Sequence, residues 1–263
     1  MNRKPVGIFC VLGQDGRQLA AAEYLRGRGY TLVEQSQISW ADYLLLPMPL
    51  SLQTEELQTL FEDAKPGLVA FAGKVSRQAM DTACRCGVKL YDYLKREELA
   101  LLNAIPTAEG CIALLLQNRS RTLWNSPVLL LGYGRCAQAL AQRLVALGAQ
   151  VTVAARSAAQ RALARSQGCQ SVALDTLAVQ MGRFDTVVNT IPALVLNRAM
   201  LELAMPQALL VDLASLPGGI DLQAASECPV RAIRALSLPA RCAPTTAGEF
   251  VAQAVLAMLE EEE

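Results

Sequence analysis

The chain has 263 residues, more than one domain of ordinary size, so two are expected. Twenty-four basic residues balance 24 acidic ones, and apolar residues reach 52% against 18% charged, which leaves no electrostatic footprint for nucleic acid or a membrane surface. There is no histidine, which removes imidazole metal ligands and Ser-His or Cys-His nucleophilic chemistry; Cys84-x-Cys86 is too tight for a zinc half-site, so no metal is expected.

After the basic start Met1-Asn2-Arg3-Lys4-Pro5, the apolar stretch is broken by Gly13, Gln14 and Asp15 before a signal-peptide core forms. No uninterrupted apolar run approaches the ~18 residues of a membrane span, and the eight cysteines show no disulfide framework, so a cytoplasmic protein with no membrane partner is expected. Strands are predicted at 6–11, 31–33, 43–46, 68–72 and 89–91. Helices fall between them at 18–28, after Thr54 as cap with Glu55 and Glu56 in the first turn, from Ser76 and from Lys95. This β-α alternation implies a parallel sheet with helices on both faces.

Residues 1–104 are thus expected to form a flavodoxin-like substrate domain. Ala108, Cys111, Ile112, Leu115 and Leu116 share one helical face, so 105–122 is predicted as an interdomain helix. Residues 123–245 read as a Rossmann NAD(P)-binding domain, giving an α/β fold of two doubly wound parallel-sheet domains. Its remaining elements are a helix at 157–167 and strands at 171–172, 186–190, 208–211 and 230–235. Thr246 and Glu249 are spaced as a capping box ahead of an amphipathic helix, 246–263, predicted to pack back on the first domain, with Glu260 to Glu263 as a solvated tail.

The strongest chemical signal is the apolar run from Val128 to Leu131 that opens into Gly132-Tyr133-Gly134-Arg135-Cys136-Ala137. Gly132 suits a sharp turn, Gly134 the approach of a pyrophosphate, and small Ala137 close packing of helix on strand, with the phosphates at the helix N-terminus. The next strand, 151–155, ends at Arg156 and Ser157, where an NAD site usually offers an acid; a guanidinium there favours NADP over NAD. Ligands bind beyond the carboxyl ends of such strands, so the loops Asn189-Thr190-Ile191-Pro192 and 212–219 are assigned to the nicotinamide side. Cofactor contacts are therefore expected from the glycine turn, Arg156, Ser157, Asn189, Thr190, Ile191, Pro192, Asp212 and Ala214. The loop 13–18, with Asp15 and Arg17, is expected to face them from the first domain, and Gly218 and Gly219 form either a plain turn or a backbone anion nest.

Gln14-Asp15-Gly16-Arg17-Gln18, Ile105-Pro106-Thr107-Ala108-Glu109-Gly110, Gly132-Tyr133-Gly134-Arg135, Asn189-Thr190-Ile191-Pro192, Asp212-Leu213-Ala214-Ser215-x-Pro217-Gly218-Gly219 and Ala243-Pro244-x-Thr246-Ala247-Gly248 follow one another in an order that resembles the family of dipicolinate synthase A subunits. The resemblance spans nearly the whole chain. It implies a pyridine-nucleotide-dependent subunit that, with a flavoprotein-like B subunit, makes dipicolinic acid from a lysine-pathway intermediate in spore-forming bacteria. Gly16 and Thr245 depart from the Ala and Lys usual in that family.

Under this resemblance Asp15, Arg17, Glu109 and Ser215 are the catalytic candidates, with Asp15 or Glu109 as base. Arg17, Thr107, Ser215, Gly218, Gly219 and Thr246 are the contacts for a small dicarboxylate. A homo-oligomer is compatible with the sequence. Two other readings stand beside this one: a shikimate-type NADP dehydrogenase, for which Lys74 and Asp81 lack the surrounding motif, and a non-catalytic NADP-binding subunit.

Overall fold

A computed structural model describes residues 7–261. Its contacts divide the chain into two units: the described residues of Met1–Asn103 with Ala243–Glu263, and Ala104–Cys242. In the first, strands β1 (Ile8–Val11), β2 (Thr31–Val33), β3 (Tyr43–Leu45), β4 (Val69–Ala72) and β5 (Lys89–Asp92) form one parallel sheet in the order β2-β1-β3-β4-β5. Helices α1 (Gly16–Gly27), α2 (Thr54–Glu62) and α3 (Arg77–Arg85) connect them. Residue 6, the expected first residue of β1, lies outside the described residues. Gln53, one residue before the predicted Thr54, is the N-cap of α2, because Glu56 reaches back to the Gln53 N–H at 2.9 Å.

The helix expected from Lys95 and the one expected at 105–122 are a single helix, α4 (Glu97–Gln117), which runs through Pro106. Proline removes one backbone donor and crowds the preceding turn. Burial on both sides of it outweighs that cost: Leu99 sits in the first unit's core, and Ala108, Cys111 and Leu115 sit in the second's. Leu116, predicted on the same face, is 52% exposed. By length and composition α4 is also apolar enough to cross a membrane, with mean hydropathy 1.8, although no single apolar run in the sequence suggested it.

The second unit holds β6 (Pro127–Leu131), β7 (Gln150–Ala155), β8 (Gln170–Ala173), β9 (Thr186–Asn189), β10 (Leu209–Asp212) and β11 (Arg231–Arg234). All pair in parallel, in the order β11-β10-β9-β6-β7-β8. Helices α5 (Arg135–Ala146), α6 (Ala158–Ser166), α7 (Arg198–Glu202) and α8 (Leu222–Glu227) lie between them, and α9 (Leu238–Cys242) follows β11. A parallel sheet covered on both faces needs strands apolar on both, and Val128 to Leu131 are fully buried in this way.

The chain then returns to the first unit as α10 (Pro244–Glu260). Its first turn opens at Pro244, whose fixed φ suits the start of a helix, with Ala243 as N-cap. Thr246 therefore lies inside the first turn, and the predicted capping box with Glu249 does not form. Val251, Ala252, Ala254 and Val255 pack with Phe9, Ala21 and Leu25. Glu261, exposed as expected of a solvated tail, also accepts two 2.6 Å hydrogen bonds from Arg96.

Candidate functional site

The second sheet reverses its direction of winding between β6 and β9, the place where such folds bind nucleotides. Gly132, directly after β6, has φ +85°, and a Cβ there would lie 2.8 Å from Thr190 Oγ1. Thr190 itself donates to the Leu131 carbonyl at 2.8 Å, closing the two strand ends on each other. Gly134 is the N-cap of α5 in an extended conformation, and a Cβ there would meet no atom within 4 Å. Gly134 brings no side chain to cap α5, and a helix N-terminus of this kind presents N–H groups and a positive dipole end to an anion.

These groups border a cavity of about 330 Å³ whose walls are residues 132–137, Ala155, Arg156, Gln160, Leu174, Thr190, Ile191 and Pro192. Most of the predicted cofactor residues thus share one cavity. Tyr133 contributes backbone only: its ring is buried, its hydroxyl bonds Gln167, and burial pushes the phenol up to about 12. Cys136 is a thiol rather than a thiolate, because burial raises its pKa more than the Arg135 charge and the Thr107 hydrogen bond lower it. Thr107, expected at the substrate, stands beside Cys136, a residue of the cavity wall. Ser157 is the N-cap of α6, its hydroxyl accepting from the Gln160 N–H.

Arg161 passed unnoticed in the sequence. It donates to the carbonyls of Ala155 (2.8 Å) and Arg156 (2.6 Å), fixing the corner from which Arg156 projects. Its signal is positional: it falls one helical turn after the capping Ser157. Donors, open space and an exposed arginine together fit a nicotinamide dinucleotide.

Asn189 and Asp212, predicted to touch the cofactor, are fully buried. Asn189 donates to Asp212 Oδ1 at 2.7 Å and to the Ile191 carbonyl at 3.0 Å, and accepts from the Ile191 N–H at 3.1 Å. Asp212 also accepts from Ala214 N–H (3.2 Å) and Gly219 N–H (3.0 Å), so the pair holds the two loops in place. Buried Ala214 belongs to that framework. The anion nest at Gly218 and Gly219 does not exist, since Gly218 N–H is committed to the Ser215 carbonyl at 2.9 Å and Gly219 N–H to Asp212. Both glycines are required by crowding: a Cβ at Gly219 would sit 2.3 Å from Asn189 Nδ2, and one at Gly218 2.6 Å from Asp212 Oδ2. Ser215 is exposed on the same loop, away from the cavity walls. Glu109 is exposed on α4, 3.4 Å from Arg143, and is also absent from those walls.

In the first unit, the corresponding reversal lies between β1 and β3. Asp15 is the N-cap of α1, accepting from the N–H groups of Arg17 (2.8 Å) and Gln18 (3.2 Å). Arg17 is mostly buried, and its guanidinium bonds Asp15 Oδ2 and the Met48 carbonyl, each at 2.7 Å. Partial burial works to raise the Asp15 pKa, but the Arg17 hydrogen bonds and charge and the Gln18 N–H outweigh it and hold the carboxyl below its usual value. A carboxylate so stabilised is a weaker base than a free one, which counts against Asp15 as the proton acceptor. Gly16 is crowded by Pro244, 2.9 Å from where its Cβ would be. Thr246 is half-buried in α10. No group of three metal-ligating side chains occurs among the described residues.

Residues 112–215 match the D-isomer specific 2-hydroxyacid dehydrogenase, NAD binding domain family. The A subunit of dipicolinate synthase from Bacillus subtilis (strain 168) is 31% identical, with 96% of each chain covered. The crystal structure of dipicolinate synthase, A chain, from Bacillus subtilis superposes with TM-score 0.85 at 30% identity over 97% of both chains. That of the dipicolinate synthase A chain from Bacillus halodurans gives 0.86 at 26% identity over 96% of this chain and 97% of the other.

Proposed function

The chain belongs to the family of dipicolinate synthase A subunits, and from that premise we propose that it oxidises a dihydrodipicolinate-type intermediate to dipicolinic acid with NADP, together with a B subunit, during sporulation. The observation that carries the redox half is the glycine turn at the sheet reversal, where a Cβ on Gly134 would meet only open space. When bound, the nicotinamide supplies a two-electron acceptor. The preference for NADP is supported by Arg156, an exposed cation in the cavity wall where an NAD site would offer a carboxylate.

Arg17 is our candidate for holding a substrate carboxylate. Asp15 and the Met48 carbonyl fix its guanidinium, which has more N–H donors than those two partners use. Aromatisation of the ring supplies driving force, so the protein's task is chiefly to position the ring carbon and accept one proton. Glu109 is the carboxylate we retain for that proton, with exposed Ser215 and half-buried Thr246 for substrate oxygens. A cytoplasmic location accompanies this reading, since the reaction draws on the cell's nucleotide pool.

The test combines purified protein and its B partner with a freshly generated dihydrodipicolinate-type intermediate and either NADP or NAD, read as ultraviolet absorbance of the pyridine product. Faster product formation with NADP is expected. Absence of product with either nucleotide, while nucleotide binding is intact, overturns the reading.

A further inference from the structure

Tyr93 follows β5 directly and is fully buried, yet its hydroxyl has no hydrogen-bond partner among the described residues. An unpaired buried hydroxyl is disfavoured, and its persistence asks for a partner supplied from elsewhere. The surroundings say what kind. Asp92 anchors the chain beside the ring, accepting from the N–H groups of Lys74 (3.1 Å), Val75 (3.0 Å) and Leu94 (3.0 Å). The ring edge lies against Gly73, where a Cβ would be 2.9 Å from both Tyr93 Cε2 and Met48 Cγ. The Met48 carbonyl is in turn the acceptor for Arg17.

Burial raises the phenol pKa strongly; the Arg17 charge opposes that, while Asp92 and Asp15 add to it. The group therefore keeps its proton and acts as a donor. Guanidinium, phenol and the Gly73 turn all stand at the carboxyl ends of β1, β3, β4 and β5, the edge at which doubly wound sheets take their ligands.

We propose that Tyr93 is a substrate-binding residue whose hydroxyl donates to an oxygen of the dicarboxylate held by Arg17, with the flexible Met48 side chain moving aside to admit it. The inference rests on the dicarboxylate reading given above and adds to it a donor that no sequence motif marks.

The test is Tyr93→Phe in the full-length protein, with pyridine-2,6-dicarboxylate binding by calorimetry, a nucleotide titration and a thermal melt. Affinity for the dicarboxylate should fall about tenfold, as for loss of one hydrogen bond to a charged group. Nucleotide affinity should be unchanged, and Tm should hold or rise because an unpaired buried hydroxyl is gone. The double variant with Arg17→Lys should lose less than the product of the single losses, since both groups hold one anion. Equal dicarboxylate binding by wild type and variant, or a lowered Tm with weakened nucleotide binding, overturns the inference. A wild type that binds nucleotide but no dicarboxylate overturns it together with the substrate reading on which it rests.

Discussion

Gly132 and Gly134 sit two residues apart in one turn but answer to different constraints. At Gly132 the left-handed φ of +85° and the Thr190 hydroxyl both exclude a side chain, so any substitution strains the fold itself. Gly134 has an extended backbone that any residue adopts, and nothing stands within 4 Å of its missing Cβ. Gly134→Val should accordingly leave the circular dichroism spectrum and Tm near wild type while abolishing nucleotide binding. An unfolded variant, or one with wild-type affinity, would show that the phosphates do not pass there. Arg156 is tested in the same titration. Arg156→Asp replaces a donor for a 2′-phosphate by a group that repels it, and charge-assisted bonds are worth ~1.5–3 kcal/mol, so NADP affinity should fall ten- to a hundredfold. NAD affinity should hold or improve; equal losses for both nucleotides would remove Arg156 from the 2′ position.

At the element scale, α10 packs on α1 at Gly248, where a Cβ would sit 2.2 Å from the Arg17 carbonyl oxygen and 2.8 Å from Ala20 Cβ. Gly248→Ala therefore pushes on the first turn of α1. Overpacking of this kind costs about 1–3 kcal/mol, and here the displaced backbone carries the arginine assigned to substrate. We expect a lower Tm together with reduced kcat/KM and an unchanged nucleotide Kd; wild-type values of all three would mean that the helices separate without moving Arg17. The packing of α10 was foreshadowed by its apolar period, but its start was not: Thr246 and Glu249 have the spacing of a capping box, and Pro244 two residues earlier fixes the first turn instead. At α2 it was a capping box, Gln53 with Glu56, that set the N-cap one residue before Thr54. Pro106 concealed the continuity of α4, because proline ordinarily ends a helix unless packing on both sides holds it. The short 3-10 segments Gln35–Trp40 and Leu174–Arg183 left no periodic trace long enough to read.

Across the whole molecule the two parallel sheets were legible because buried strands announce themselves as apolar runs ended by glycine, as Val128 to Gly132 does. Which polar residues face a ligand was harder to see. Asn189 and Asp212 occupy strand ends in the way ligand residues do, yet their side chains are consumed in pairing loops, a distinction that depends on partners far apart in the chain. Tyr93 is the converse case, an apolar-looking position whose unpaired hydroxyl only the packing reveals.

The two units also suggest a division of labour, with the nucleotide assigned to one and the substrate carboxylate to the other. Arg17→Lys keeps the charge but loses the planar fork that now engages Asp15 and Met48. Loss of a bidentate contact together with misplacement of the ring should cost roughly 2–4 kcal/mol in kcat/KM with the B subunit present, while nucleotide Kd stays within error. Arg17 and Arg156 share no partner, so their effects on kcat/KM at limiting nucleotide should add to within ~0.5 kcal/mol in the double variant. Strong non-additivity would mean that both arginines act on one ligand. A fall in nucleotide affinity from Arg17→Lys alone would identify that ligand as the cofactor.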